Sequence, residues 1–84
     1  MTVRHEILSD ITEFLHSKCN IDPAVVSERT SLHSELDVDS LDLIALAQVL
    51  QNKYHVSLDD EGITSTQTIG DVLTFVEEKI GQSA

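Results

Sequence analysis

The recurring patterns of this chain predict an all-α fold: a small four-helix bundle with three main helices, one short helix and a long first loop. Three stretches repeat apolar residues at helical spacing, the mark of helices with one buried stripe. No stretch of useful length alternates with period two, so no sheet is expected. Cap residues stand where each periodic stretch begins. The 84 residues, 40% of them apolar, suffice for one core and one domain spanning 1–84. With no Trp, one Tyr and two Phe, that core must be mainly aliphatic.

The first helix carries Val3, Ile7, Leu8, Ile11, Phe14 and Leu15 on one face. Thr2 can cap it, and it should run to about Lys18, whose charge suits a helix C-terminus. Arg4, Glu6, Asp10, Glu13 and Lys18 form its solvated face. From Asn20 to Leu36 no period persists, so this is a long connection. Within it, Asp22-Pro23 reads as a cap and first position of a single turn. Val25, Val26, Leu32 and Leu36 should pin the loop to the core.

The second helix should span Ser40 to Tyr54. Leu43, Leu46, Ala47, Leu50 and Tyr54 make its stripe, widened by Ile44 and Val49. So wide a stripe implies contact with more than one helix, or with a sequestered apolar ligand. His55 to Leu58 breaks the pattern, and Asp59 to Ile63 allows one short helical turn with acids at its start. After the polar connector Thr64–Gln67, Thr68-Ile69-Gly70-Asp71 reads as a capping box with Asp in place of Glu. Ile69, Val72, Leu73, Val76 and Ile80 follow at helical spacing, with Phe75 to one side. Gly81 is expected to close this helix as a C′ glycine, with residues 82–84 frayed.

The long loop delivers the chain to Leu36-Asp37-Val38-Asp39-Ser40-Leu41-Asp42. Asp39 can cap the second helix, placing the Ser40 hydroxyl at the first helical position, beside the positive end of the helix dipole. A phosphate ester there would be favoured by the open N–H groups. Taken alone, the same residues could simply cap a helix.

Fifteen acids against five bases give a net charge of −10 and a pI near 4.4. That disfavours nucleic acid, which needs clustered Lys and Arg, and favours partners with basic surfaces. The lone Cys19 excludes an internal disulfide and reads as a partly buried small residue in a reducing compartment. Met1–Glu6 lacks the apolar core of a signal peptide, and the longest apolar run, Leu43 to Ala47, is far short of a membrane span. A soluble, cytoplasmic monomer is expected. Asp37-x-Asp39 opens like a calcium loop, but Leu41, Asp42 and Gln48 fill positions that need ligands or glycine. His5, His16, His33 and His55 are scattered without ligand spacing, so no metal site is expected. His33 is not accompanied by a Gly-x-Ser-x-Gly elbow, and no phosphate-binding glycine loop occurs, so catalysis by this chain alone is not expected.

Taken together, these stretches resemble the acyl carrier protein family over nearly the whole chain. The resemblance rests on Thr30-Ser31-Leu32, on Leu36 to Asp42 with the apolar helix that follows, on Val56-x-Leu58-Asp59-Asp60-Glu61 and on Thr68-Ile69-Gly70-Asp71-Val72. It implies a carrier rather than an enzyme. Ser40, flanked by Asp39 and Leu41, would bear a covalent 4′-phosphopantetheine arm transferred from coenzyme A by a phosphopantetheinyl transferase. The arm's thiol would hold acyl or aminoacyl groups as thioesters for acyl-loading, acyl-transfer or condensing enzymes with basic docking surfaces.

Two departures stand out. Asp37 occupies a position where the family usually has Gly, which Asp tolerates better than most residues. The exposed face of the second helix reads Asp42, Ala45, Gln48, Gln51, Asn52, with only one acid, whereas fatty-acid-synthesis carriers tend to place several there. Partner recognition is therefore expected at Asp37, Asp39, Leu41, Asp42, Ala45 and Gln48. A specialised fatty acid, polyketide or lipopeptide pathway is expected over housekeeping fatty acid synthesis; an unmodified helical interaction module is the alternative of another class. Leu43, Ile44, Leu46, Val56, Ile63 and Val72 could line a transient acyl pocket, or serve only as core.

Overall fold

A computed structural model describes residues 3–83. Helix α1 (Val3–Cys19) turns Ile7, Ile11, Phe14 and Leu15 of the expected stripe inward, with Leu8 partly buried beside them, whereas Val3, in the first turn, is 42% exposed. Thr2, its expected cap, lies outside the described residues. The helix ends on Asn20 at φ 58°, and the Ile21 N–H reaches back to the Leu15 carbonyl at 3.1 Å. Asn20 takes the left-handed position that Gly usually fills at a helix end. The 3-10 turn Pro23–Val25 follows its cap Asp22, whose carboxylate accepts the Ala24 N–H at 2.9 Å.

Helix α2 (Ser40–Tyr54) buries Leu43, Leu46, Ala47 and Leu50. Tyr54 and Ile44 sit half-buried at the margin. Val49 corrects the expected stripe: it is 44% exposed, because it lies on the outer side of the α1–α2 contact. Short helix α3 (Asp60–Thr64) is capped by Asp59, which accepts the Gly62 N–H at 2.8 Å. Helix α4 (Ile69–Ser83) starts in the expected box, with the Asp71 N–H donating to Thr68 Oγ1 and the Thr68 N–H to Asp71 Oδ2, both at 3.2 Å. Its end differs from expectation. Gly81 lies inside the helix without a positive φ, and Gln82 and Ser83 continue it. Phe75 lies at the core margin, its ring tip so near Gly62 that a Cβ there would be 2.6 Å away.

One core joins all four helices, and Leu32, Val38, Val56 and Leu58 join it from the connections. Among the described residues there is no strand, only an isolated bridge between Ser31 and Thr68. That bridge belongs to a seam stitching the long loop to the head of α4. Leu32 N–H donates to the Gln67 carbonyl at 2.8 Å, Ile69 N–H to Thr30 at 3.1 Å and Gly70 N–H to Glu28 at 2.8 Å. Gly70 is needed there, since a Cβ would lie 2.9 Å from the Glu28 carbonyl oxygen. Of the expected loop anchors, Leu32 is buried and Val26 and Leu36 are partly so. Val25 is instead 53% exposed, because the 3-10 turn points it outward.

Arg4, expected on a merely solvated face, clasps two other segments to α1. Its guanidinium donates to Glu28 of the loop at 2.7 Å, to Thr74 of α4 at 3.3 Å and to Glu77 of α4. The guanidinium holds the Glu28 carboxyl below its usual range. A carboxyl lowered by folding contributes stability above its unfolded value, and that contribution is lost as pH falls through the lowered one. Arg4→Ala is therefore expected to lower Tm at pH 7, with the gap to wild type closing as the pH falls below about 4. A gap constant across that range, read by thermal unfolding, would show that the clasp acts only through packing.

Candidate functional site

Two buried anchors, Leu32 and Val38, fix the approach to α2. The Val38 N–H donates to the Leu32 carbonyl at 2.8 Å, while Leu36 and Glu35 N–H groups share the Ser31 carbonyl at 3.2 and 3.3 Å. Between the anchors the backbone reverses at Asp37, with φ 55°. Asp tolerates that left-handed turn because its short polar side chain costs less there than a branched one. The chain keeps the turn without glycine.

Asp39 then leaves the loop extended, at φ −95° and ψ 178°, and caps α2. Its carboxylate accepts the Asp42 N–H at 3.0 Å, and Asp42 Oδ2 accepts the Asp39 N–H at 3.4 Å, a reciprocal capping box. Asp42 is half-buried and spends part of its charge on this cap. The signal was legible, since Asp39-x-x-Asp42 has the form of Thr68-x-x-Asp71. Ser40 follows as the first helical residue, exposed, its hydroxyl without a hydrogen-bond partner among the described residues. The first bond of the helix runs from the Leu43 N–H to the Asp39 carbonyl. The N–H groups of Ser40 and Leu41 therefore stay open toward solvent. A phosphodiester on the Ser40 oxygen would meet those donors and the positive end of the helix dipole. The residues present fit that group.

Leu41, directly after Ser40, is 74% exposed, and Ala45 and Gln48 are exposed farther along α2. Asp37 and Asp39 are exposed beside Ser40. The end of α1 completes the surroundings. Burial, with the charges of Asp42 and Asp39 behind it, pushes the Cys19 thiol above its usual range. A raised thiol holds little thiolate near neutral pH and reacts slowly. Cys19 is thus expected to be alkylated by iodoacetamide at pH 8 several-fold more slowly than glutathione; an equal rate would overturn this. The expected pocket residues Leu43, Leu46, Val56, Ile63 and Val72 are all buried in the one core, with Ile44 half-buried beside them. Two surface grooves lie elsewhere, along α1, and none of the six lines either. Val38, which the sequence did not single out as an anchor, proves to hold the loop as firmly as Leu32.

Among the described residues no group of three or more His, Cys, Asp or Glu is placed to hold a metal ion. None of the described helices is long and apolar enough to cross a membrane.

Residues 9–76 match the family described as the phosphopantetheine attachment site, so fold and site define a domain of the class that carries 4′-phosphopantetheine covalently. An acyl carrier protein of Thermotoga maritima is 32% identical over 81 residues, covering 96% of this chain and 100% of that one. The chain belongs to the acyl carrier protein family. A meromycolate extension acyl carrier protein of Mycobacterium leprae is 31% identical over 75 residues, covering 89% of this chain and 65% of that longer protein. The fold agrees with a crystal structure of an acyl carrier protein from Thermotoga maritima, with a TM-score of 0.82 at 22% identity over 96% of this chain and 94% of that one.

Proposed function

We propose that Ser40 carries the arm and that the chain holds acyl or aminoacyl intermediates as thioesters for a specialised fatty acid, polyketide or lipopeptide pathway. The exposed Ser40 hydroxyl, without a hydrogen-bond partner among the described residues and beside two open N–H groups, supports the attachment. In loading, the Ser40 oxygen bonds to the β-phosphorus of coenzyme A, adenosine 3′,5′-bisphosphate leaves, and the hydroxyl proton passes to a base on the transferase. This chain supplies position and surface, and partner enzymes supply the chemistry. Tethering raises the effective concentration of the cargo at each partner.

One observation carries the specialised reading. On the free face of α2 only Asp42 is acidic, and it is engaged in the cap, while Leu41, Ala45, Gln48 and Asn52 are neutral and exposed. Recognition there depends on shape more than on long-range charge. Partners with basic surfaces would still meet Asp37 and Asp39 at the helix head. The chain would act as a single-domain monomer in the cytoplasm, Leu43, Ile44, Leu46, Val56, Ile63 and Val72 opening transiently around a long acyl chain. Housekeeping fatty acid synthesis is the competing assignment.

Incubation with a phosphopantetheinyl transferase and coenzyme A should add one phosphopantetheine, placed at Ser40 by fragmentation mass spectrometry. No gain would leave an unmodified interaction module. A malonyl transferase of fatty acid synthesis should then load the holo chain poorly. Efficient loading, little affected by salt, would return the protein to housekeeping synthesis.

A further inference from the structure

Helices α1 and α2 run antiparallel, so the end of α1 lies against the head of α2. At the far end Asp10 accepts hydrogen bonds from Lys53 and Tyr54. At the near end Cys19, partly buried, lies within reach of the carboxylate charges of Asp42 and Asp39, which bracket Ser40 in the sequence. Between these ends runs an open groove of about 370 Å³, floored by Phe14 and Val49 and edged by Glu13, Ser17, Lys18 and Lys53. It follows α1 from Asp10 to Lys18, about 12 Å of helix.

The floor is apolar, with Val49 left 44% exposed by the core. On the rim, the side chains of Glu13, Ser17 and Lys18 make no hydrogen bond or ion pair with any described residue. The charges cancel, Asp10 and Glu13 against Lys18 and Lys53. On a chain of net charge −10 this is a neutral strip. By contrast α3, which also packs against α2, opens on exposed Asp59, Asp60 and Glu61.

A phosphopantetheine arm suits the strip in length and in chemistry. From phosphorus to sulfur it extends about 17 Å by standard bond lengths, enough to lie along the groove from the head of α2. Its methyls and methylenes suit the apolar floor, and its amides suit the unused donors and acceptors of the rim. Its phosphodiester is an anion, which a neutral strip does not repel as the acids of α3 would.

We propose that this groove is the resting site of the arm, an inference that rests on Ser40 being the attachment residue. Lying there, the arm sets its amides against Ser17 and Lys18 and its thioester toward Lys53. The groove is open as the chain stands, whereas the core residues Leu43, Leu46 and Val72 must part before anything enters between them. The contact is shallow, so a partner enzyme draws the arm away by offering a better site.

The test uses coenzyme A whose sulfur already carries a nitroxide, transferred by a broad-specificity phosphopantetheinyl transferase, so that Cys19 stays unlabelled. Intact mass shows the arm in place, and paramagnetic broadening of backbone amides in the isotope-labelled chain shows where it lies. Broadening at Phe14, Ser17, Val49 and Lys53 is expected to be about threefold stronger than at Ile63 and Thr64 of α3, as for an arm that spends most of its time in the groove. Ser17→Trp fills the groove from α1 without altering α2, and Val49→Asp puts a charge on its floor. Both should even out the difference, while Val49→Leu should keep it. Circular dichroism confirms that each variant folds. Without the nitroxide, nuclear Overhauser contacts are expected between the methyls of the arm and Val49. Equal broadening on both sides, stronger broadening at α3, or a wild-type pattern in both disruptive variants overturns the proposal. Contacts that need the nitroxide would assign the groove to the label and overturn it too. If the mass shows no arm on wild type, the attachment reading fails, and the proposal falls with it.

Discussion

Ser40→Ala is expected to abolish the phosphopantetheine mass gain completely while leaving the fold intact. The loss should be complete because the family's arm is held by a single covalent ester, and alanine has no oxygen to form it. The fold should survive because the Ser40 side chain is exposed and makes no hydrogen bond among the described residues. Alanine also suits a helical position at least as well as serine. Tm should therefore stay within about 2 °C of wild type, the size of an ordinary surface substitution. Asp39→Ala supplies the contrast. It removes the acceptor of the Asp42 N–H and is expected to cost about 1 kcal/mol, as for other lost N-caps. A Ser40→Ala protein that still gained the arm would move the attachment to another hydroxyl. One that unfolded would show Ser40 to be structural.

Leu46→Ala has the largest expected effect on stability. Leu46 is 1% exposed, on the inner face of α2 within the single core. Truncating such a leucine costs about 2–5 kcal/mol, the spread reflecting how far the site can collapse. A domain of this size holds only about 5–10 kcal/mol in all. A cost of about 3 kcal/mol lowers Tm by roughly 12–24 °C in so small a domain. Thermal unfolding followed by circular dichroism checks this directly. A fall of less than about 5 °C, well under what a rigid core would give, would reveal slack beneath α2. Slack is the room that a sequestered acyl chain would need, so either outcome informs the proposed pocket.

Tyr54 gives α2 a second tie to α1. Its hydroxyl donates to Asp10, which also accepts from Lys53. Burial and that carboxylate hold the phenol well above its usual range. A phenol raised by folding contributes stability below its unfolded value and loses it as pH rises. Denaturant midpoints should therefore fall above about pH 10, where unfolded Tyr ionises, and Tyr54→Phe should fall less steeply. Equal slopes would remove Tyr54 from the account.

The helices and the exposed serine at the head of α2 were legible because local physics sets them. Asp22-Pro23, Asp39-Ser40 and Thr68-x-x-Asp71 place their caps through bonds spanning two or three residues, and each periodic stripe needs only its own helix to be recognised. Ser40's exposed place at the head of α2 was readable for the same reason: cap, loop and apolar helix are consecutive in the chain. What the sequence left open depends on which elements meet. Val25 and Val49 match their stretches in hydrophobicity yet stay outside, because no neighbour covers those sides. Arg4 is polar and solvated on its own helix, and becomes a clasp only when the loop and α4 bring Glu28 and Glu77 to it. Gly81 looks like a helix stop, but nothing in the tertiary structure turns the chain there and the helix continues. The sequence by itself determined the four helices, the N-terminal caps of α2 and α4 and the exposed serine at the head of α2. The tertiary structure alone decided the seam that holds the loop, the clasp at Arg4 and the exposure of Val49, since each depends on residues far apart in the chain.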